Sequence, residues 1–269
     1  MPATIRIVNV NGVETHVLEC GSGRTLLFLH SGEGPNTYSS VYLEALSKRF
    51  RVIAPWHPGF GPSARPPAFK DPSDLAYFYL DFIEQERLSD ILLVGASFGG
   101  WIATEIAVRS TIHISALVLI DPFGIRVGEP WVRDIEDMFA LSDAQWVDLA
   151  FENQTLSILD ISAMSDEQLA MLVKSRDSLS FYGWKPYMHN PQLIHWLHRI
   201  RISSLLLRGS RDRVVRRECH ERFAQLLPMG QMTEVAGAGH YPHIEKPAEV
   251  AGQIIRFADI NAPAAVAAS

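Results

Sequence analysis

Cysteine is nearly missing from this chain: Cys20 and Cys219 are the only two, far apart in 269 residues. A protein of this length buries enough apolar surface to hold its core without covalent staples, so both thiols are expected reduced and packed. No cysteine or histidine pair has zinc-ligand spacing, and neither metal nor other cofactor is implied. No uninterrupted apolar run is long enough to span a bilayer. Met1-Pro2-Ala3-Thr4-Ile5-Arg6 has neither the basic region nor the apolar core of a secretion signal, so a cytoplasmic protein is expected. An excess of positive charge is missing too: 24 Lys and Arg face 30 Asp and Glu, a formal charge of -6. That balance gives no reason to approach nucleic acid or an anionic membrane. The expected partner is a small-molecule substrate, with homo-oligomerisation left open. There is no internal repeat.

What is present is the composition of an ordinary globular protein, 47% hydrophobic and 20% charged. Ile5 to Val10 and Val13 to Leu18 are β-rich runs around Asn11-Gly12, which suits a two-residue hairpin turn. Thr25 to Leu29 is apolar enough for a strand covered on both faces, and Val41 to Phe50 reads as a helix before the strand Arg51 to Ala54. Asp71-Pro72-Ser73-Asp74 carries helix-start signals, after which Leu75, Phe78, Tyr79, Phe82 and Ile83 recur at helical spacing. Ile91 to Val94, Ile114 to Ile120, Ser204 to Leu207 and Gln231 to Val235 are further strands. Helices are expected over Trp101 to Ser110, Glu218 to Leu227 and Ala248 to Ala258. This alternation predicts an α/β fold with a mostly parallel sheet and helices on both faces. Between 125 and 200 it stops, and helical patterns at Trp131 to Phe139, Ala144 to Phe151, Glu167 to Leu179 and Pro191 to Ile200 take over. The expected organisation is a core of 1–124 and 201–269 split by a helical cap of 125–200. Ala262 to Ser269 reads as a mobile tail.

The densest chemical signal is Gly95-Ala96-Ser97-Phe98-Gly99, at the end of the apolar run Ile91 to Val94. Strand, sharp turn and helix in succession put a serine at the apex with its hydroxyl clear of the sheet, and glycines two positions either side avoid collisions there. The backbone N–H of Phe98, opening the helix, points where an oxyanion forms if Ser97 attacks a carbonyl. Ser97 is therefore the candidate nucleophile. Asp212 follows a strand end in Gly209-Ser210-Arg211-Asp212, and His240 lies in a glycine-rich loop after the last strand. The order nucleophile, acid, histidine is the one such an elbow requires. Asp121, at another strand end, is the rival acid.

With the loop after His30, the elbow, Gly209-x-x-Asp212 and Gly239-His240-x-Pro242-x-x-Glu245-x-Pro247, the chain resembles α/β-hydrolase-fold enzymes with a helical cap. The resemblance covers nearly everything outside the cap. It implies that Ser97 attacks, His240 moves the proton and Asp212 orients the imidazole. It also implies a second oxyanion donor in the loop after His30, at the N–H of Gly32. Those enzymes usually carry glycine where this chain has Ser31, and Glu33 puts a carboxylate near the developing charge, most simply as a solvated loop acid. Ser31, Tyr182, Trp184 and Tyr241 are candidate substrate contacts, with Phe181 and Trp196 further aromatic candidates in the cap. Packing of the cap is the competing role for each. His30, His57 and His243 are expected to support loops. His16, His113 and His220 are expected exposed or satisfied.

The implied activity is that of a cofactor-independent serine hydrolase acting on a carboxylic ester, lactone or thioester. A carbon-carbon hydrolase of ring-cleavage products is the alternative, although such enzymes typically place asparagine before the nucleophile and tryptophan after the histidine, where this chain has Ala96 and Tyr241. Carboxylate-nucleophile enzymes of the fold are disfavoured by Ser97. A non-catalytic receptor of the same fold is the reading from another class.

Overall fold

Strands that are apolar at every position need cover on both faces, and they occupy the middle of one sheet. The computed structural model describes residues 3–32, 34–35, 40–157 and 164–261. Its strands are β1 (Thr4–Val10), β2 (Val13–Gly21), β3 (Thr25–Leu29), β4 (Arg51–Pro55), β5 (Ile91–Ala96), β6 (Ile114–Ile120), β7 (Ser203–Gly209) and β8 (Gly230–Val235). They form one eight-stranded sheet in the order β1-β2-β4-β3-β5-β6-β7-β8. β2 runs antiparallel to β1 and to β4, and the remaining neighbours are parallel. The β1–β2 hairpin turns at Asn11 and Gly12, both at positive φ, with Val10 opposite Val13. This is the α/β-hydrolase arrangement expected from the sequence.

Successive side chains of a strand point to opposite faces, and the two faces bury different helices. Leu27, Leu93, Leu117 and Leu206 share a cluster with α2 (Pro72–Gln85), α3 (Phe98–Arg109) and α7 (Arg217–Leu226). Leu26, Phe28, Leu92, Val118 and Leu205 share the other with α1 (Ser40–Ser47) and α9 (Pro247–Ile260). β5 is buried along its whole length. Burial of each of its large apolar side chains is worth about 1.5–3 kcal/mol. That fixes the strand that leads to Ser97. Asp71 caps α2 as its sequence suggests, accepting from the N–H groups of Ser73 and Asp74.

Between β6 and β7 lie α4 (Asp143–Ala150), α5 (Asp166–Gly183), α6 (Leu193–Trp196) and a 3-10 turn over Leu197–Arg199. α4 and α5 each begin with a capping box, at Ser142 and Ser165. The helix expected over Trp131 to Phe139 does not form. Asp134, buried, accepts from the N–H groups of Val127 and Gly128, Ile135 pairs with Val215, and Glu136 N–H donates to Val214 carbonyl at 2.9 Å. Pairing with the chain after β7 overrides the local helical periodicity.

The inserted segment packs into the same core as the sheet: Leu179, Tyr182, Met188 and Leu193 belong to the α2/α3 cluster. α5 turns Ser175, Ser178, Leu179 and Tyr182 inward, spaced at three and four as one helical stripe, with Ser175, Ser178 and Tyr182 on the loop after β4 and Leu179 on the loop after β3. Ser178 and Tyr182 hydroxyls donate to the carbonyls of Gly59 and Pro58 at 2.7 and 3.1 Å, and Gly61 N–H donates to Ser175 Oγ at 3.0 Å. Among the described residues, no helix is long and apolar enough to cross a membrane. The expected tail, Ala262 to Ser269, falls outside the described residues.

Candidate active site

β5 delivers the chain to Ser97, which turns at φ 53° and ψ -113° before α3 starts at Phe98. A non-glycine residue in this region stores on the order of 1–3 kcal/mol, which the surroundings must offset. They do so through the backbone. Ser97 N–H donates to Ile120 carbonyl at 2.8 Å, and Ser97 carbonyl accepts from Gly100, Trp101 and Phe123. A Cβ on Gly99 would come within 2.1 Å of Leu29 carbonyl oxygen, and one on Gly95 within 2.4 Å of Gly99 oxygen. Both glycines are thus demanded by close backbone approach, which ties the apex to the ends of β3 and β6.

Ser97 Oγ and His240 Nε2 are 2.9 Å apart, and His240 Nδ1 stands 3.1 Å from Asp212 Oδ2. All three side chains are buried. Asp212 Oδ1 accepts from Val214 and Val215 N–H at 2.7 and 3.2 Å, so the carboxylate is clamped with its second oxygen toward the imidazole. Burial pushes the Asp212 carboxyl up, but the adjacent His240, with weaker help from His220 and Asp121, outweighs it and holds the group below its ordinary value. The nucleophile, histidine and acid singled out in the sequence form one continuous hydrogen-bonded chain.

The loop carrying His240 is anchored to the inserted segment. His240 N–H donates to Ala150 carbonyl, the last residue of α4, at 2.8 Å. Glu245, in α8 (Pro242–Glu245), accepts from Gly239 N–H through Oε1 and from Glu152 and Asn153 N–H through Oε2. The acid of the sequence motif is therefore a brace between two loops.

Phe98 N–H is the first donor of α3 and has no intrahelical acceptor, as at any helix start. Gly32 is buried, and a Cβ there would meet Leu179 Cδ2 at 2.7 Å, so α5 lies directly over the proposed second donor. Ser31 is also buried, its carbonyl 2.5 Å from His30 Nδ1. Glu33 lies outside the described residues. The loop after β3 is locked to the loop after β4. His30 and His57 rings stack at 3.8 Å, His57 N–H donates to His30 Nε2 at 3.0 Å, and His57 Nδ1 is 2.6 Å from Tyr79 hydroxyl. Burial drives the His57 pKa down to about 3 and that of His30 well below the ordinary range, so both rings are neutral supports.

Tyr182 stacks on Phe60 and Phe98, forming the wall beside the elbow, and Tyr241 meets the His240 ring edge-on at 4.9 Å. Trp184 does not join them. It is 58% exposed and its ring contact is Phe139. The reason is helical phase: Phe181 and Trp184 fall off the stripe of Ser175, Ser178, Leu179 and Tyr182 that faces inward. Trp196 is exposed as well. Two rings that sequence reasoning missed do meet His240: Phe123 stacks on it at 5.1 Å, and Trp146 of α4 approaches its edge at 6.4 Å. Phe123, close behind β6 at the sheet's carboxyl edge, had a position that signalled the site.

His220, expected exposed or satisfied, is fully buried behind Asp212. Asp121, Asp212 and His220 each bring one potential ligand atom within 4.8 Å of the others. As a cation site the cluster is poorly suited, because both Asp212 oxygens already accept, from Val214, Val215 and His240. Asp121 also has a positive φ, 40°.

The model of the alpha/beta hydrolase family matches residues 26–253. The chain is 27% identical to 2-hydroxy-6-oxo-2,4-heptadienoate hydrolase of Pseudomonas putida over 90% of this chain and 91% of that protein. Among solved structures it resembles a meta-cleavage product hydrolase from Pseudomonas fluorescens, with TM-score 0.78, 19% identity and 95% and 97% of the two chains covered. It also resembles a thermophilic esterase from Thermogutta terrifontis, with TM-score 0.77, 21% identity and 97% and 100% covered. With a family match running from β3 into the last helix, on a sheet of this order and an elbow of this geometry, the chain belongs to the alpha/beta hydrolase family.

Proposed function

We propose that the protein is a serine hydrolase that cleaves carboxylic esters bearing apolar or aromatic acyl groups through an acyl-enzyme. The observation that carries this reading is the buried relay from Ser97 Oγ through His240 to Asp212. His240 Nε2 takes the hydroxyl proton as Ser97 Oγ bonds to the carbonyl carbon, and Asp212 fixes the tautomer that leaves Nε2 free to do so. The oxyanion is met by the N–H groups of Phe98 and Gly32. Collapse of the tetrahedral adduct breaks the bond to the leaving alkoxide, which receives the proton from His240. Water activated by the same imidazole then releases the acid and restores Ser97. Phe123, Trp146 and Tyr241 around His240 and Tyr182 against Phe98 supply apolar walls. Each such ring contributes on the order of 1 kcal/mol against an apolar group.

The names of the relatives favour a second reading, hydrolysis of a carbon-carbon bond in a ring-cleavage dienoate. Beyond the relay, that reaction requires protonation of the dienoate carbon, and the substrate carries a carboxylate that needs a partner. Alanine precedes the nucleophile and tyrosine follows the histidine here, which supports the ester. Comparing kcat/KM for a panel of p-nitrophenyl esters with that for a 2-hydroxy-6-oxo-dienoate decides between them. Turnover of the dienoate orders of magnitude faster than every ester overturns the first reading. A fluorophosphonate is expected to label wild-type protein once, at Ser97, and Ser97→Ala to lose both label and turnover; label retained by the variant sends the search to another serine.

A further inference from the structure

Behind the relay lies a second carboxyl group with an unbalanced hydrogen-bond inventory. Asp121, at the end of β6, is fully buried. Its Oδ2 accepts from Gly209 N–H at 3.0 Å, and its own N–H donates to Leu207 carbonyl at 2.9 Å, so it is bolted to the end of β7 that leads to Asp212. Its Oδ1 faces His220 Nδ1 at 3.6 Å, and neither atom has a hydrogen-bond partner among the described residues. His220 Nε2 is 3.2 Å from Pro122 carbonyl, which can only accept, so Nε2 carries the hydrogen and Nδ1 of the neutral ring a lone pair. A carboxylate oxygen of Asp121, one of Asp212 and a ring nitrogen of His220 all lie within 4.8 Å of one another. If Asp121 were ionised, a lone pair would confront another lone pair at His220 and a second negative charge at Asp212, all within a buried cluster. One proton on Asp121 removes the second negative charge beside Asp212 and replaces one of the facing lone pairs by a donor.

We propose that Asp121 is a positioning residue held as a neutral carboxylic acid at neutral pH, its one proton directed at the acceptors that face it on Asp212 and His220, so that Asp212 alone carries the negative charge behind His240. The proposal rests on the reading of Ser97, His240 and Asp212 as the catalytic relay. The charged and titratable groups facing Asp121 are Asp212 on the loop after β7, Arg208 on β7, His220 on α7 and, beyond Asp212, His240 on the loop after β8. Arg208 does not neutralise Asp121 directly. Its guanidinium donates to Gly209 and Asp212 carbonyls and pairs with Glu234. Burial, then repulsion from Asp212, drives the Asp121 carboxyl well above its ordinary value, while burial brings His220 down to about 4. The proton therefore belongs to the acid.

Two measurements test this. Carboxyl-carbon NMR of aspartate-labelled protein at neutral pH is expected to show one protonated aspartic acid that disappears in Asp121→Asn. The same resonance is expected in Ser97→Ala protein, so this readout stands whatever the enzyme turns over. Asparagine copies a neutral acid in shape and donor capacity, so Asp121→Asn is expected to keep kcat/KM within about three-fold and the acid limb of its pH profile in place. Asp121→Leu, which removes the donor and the acceptor for Gly209 N–H, is expected to lower kcat about ten-fold or more with KM little changed. An ionised resonance for Asp121 overturns the proposal. So does an acid limb in Asp121→Asn moved down by about one pH unit, the mark of a removed negative charge. Turnover surviving in Ser97→Ala instead overturns the relay and leaves the protonation of Asp121 answered by its resonance.

Discussion

Replacing His243 by leucine tests how this protein keeps imidazoles neutral in its interior. The His243 ring is fully buried between Phe28, Tyr42 and Tyr241, and neither of its nitrogens has a hydrogen-bond partner among the described residues. Burial, with a smaller contribution from His240, brings its pKa down to about 3 from an ordinary 6.5. The sign follows from the depressed value. Above the ordinary pKa both folded and unfolded chains hold a neutral ring. Below it the unfolded chain takes up a proton that the folded chain refuses, so stability falls as pH drops from 6.5 toward about 3. At one proton per unit, that loss reaches about 2 kcal/mol at about pH 5. His57 responds in the same sense, and so does His30. His220 and Asp121 pull in opposite senses, since a raised carboxyl stabilises the fold as pH falls. The wild-type protein is thus expected to be acid-labile within a total stability of roughly 5–15 kcal/mol. In His243→Leu, lost ring contacts and a removed unsatisfied polar group change stability equally at every pH. The difference between variant and wild type should therefore shift by about 2 kcal/mol in the variant's favour between about pH 7.5 and pH 5. Urea unfolding followed by tryptophan fluorescence at both values measures it. Curves that stay parallel within about 0.5 kcal/mol would refute the reasoning.

Asp212→Asn is expected to reduce kcat about 10³–10⁴-fold while the protein stays folded, because the amide lets His240 settle in the wrong tautomer. Steady-state kinetics beside Asp121→Asn check this, and a larger loss in the Asp121 variant would move the acid to β6. Glu245→Ala frees the N–H groups of Gly239, Glu152 and Asn153. It is expected to cost about 1–3 kcal/mol in urea unfolding and to lower kcat more than it raises KM; unchanged kcat would mean that the His240 loop holds its shape unaided. Gly99→Ala forces a methyl group against Leu29 and His30 carbonyls. A loss above about 4 kcal/mol, or no soluble folded protein, is expected by circular dichroism; a variant within about 1 kcal/mol of wild type would show that the elbow yields.

The elbow could be read from sequence because its demands are local: a buried strand, a tight turn and two glycines whose missing Cβ atoms leave room for neighbouring backbone. Asp212 and His240 could be found because each follows a strand end, where such sheets gather their chemistry. His220 could not. It lies inside α7, and only the packing of that helix on β7 and β8 brings it to Asp121. The stretch from Trp131 to Phe139 misled for a related reason, since its periodicity is helical but its partner is the chain around Val214. Trp184 misled by phase, because aromatic content alone does not say which side of a helix turns inward.

The hydrogen bond from His240 N–H to Ala150 carbonyl, with Glu245 gripping Glu152 and Asn153, couples the segment between β6 and β7 to the position of the His240 ring. Walls and mounting are not separable parts. An outward swing of α4 would draw the His240 loop away from Ser97. An insertion transplanted from another family member would bring new rings to His240 and at the same time replace the hook from which its loop hangs. Exchange of single side chains such as Trp146 leaves that hook in place, whereas recombination of whole segments keeps it only if the incoming helix ends with a carbonyl where Ala150 presents one.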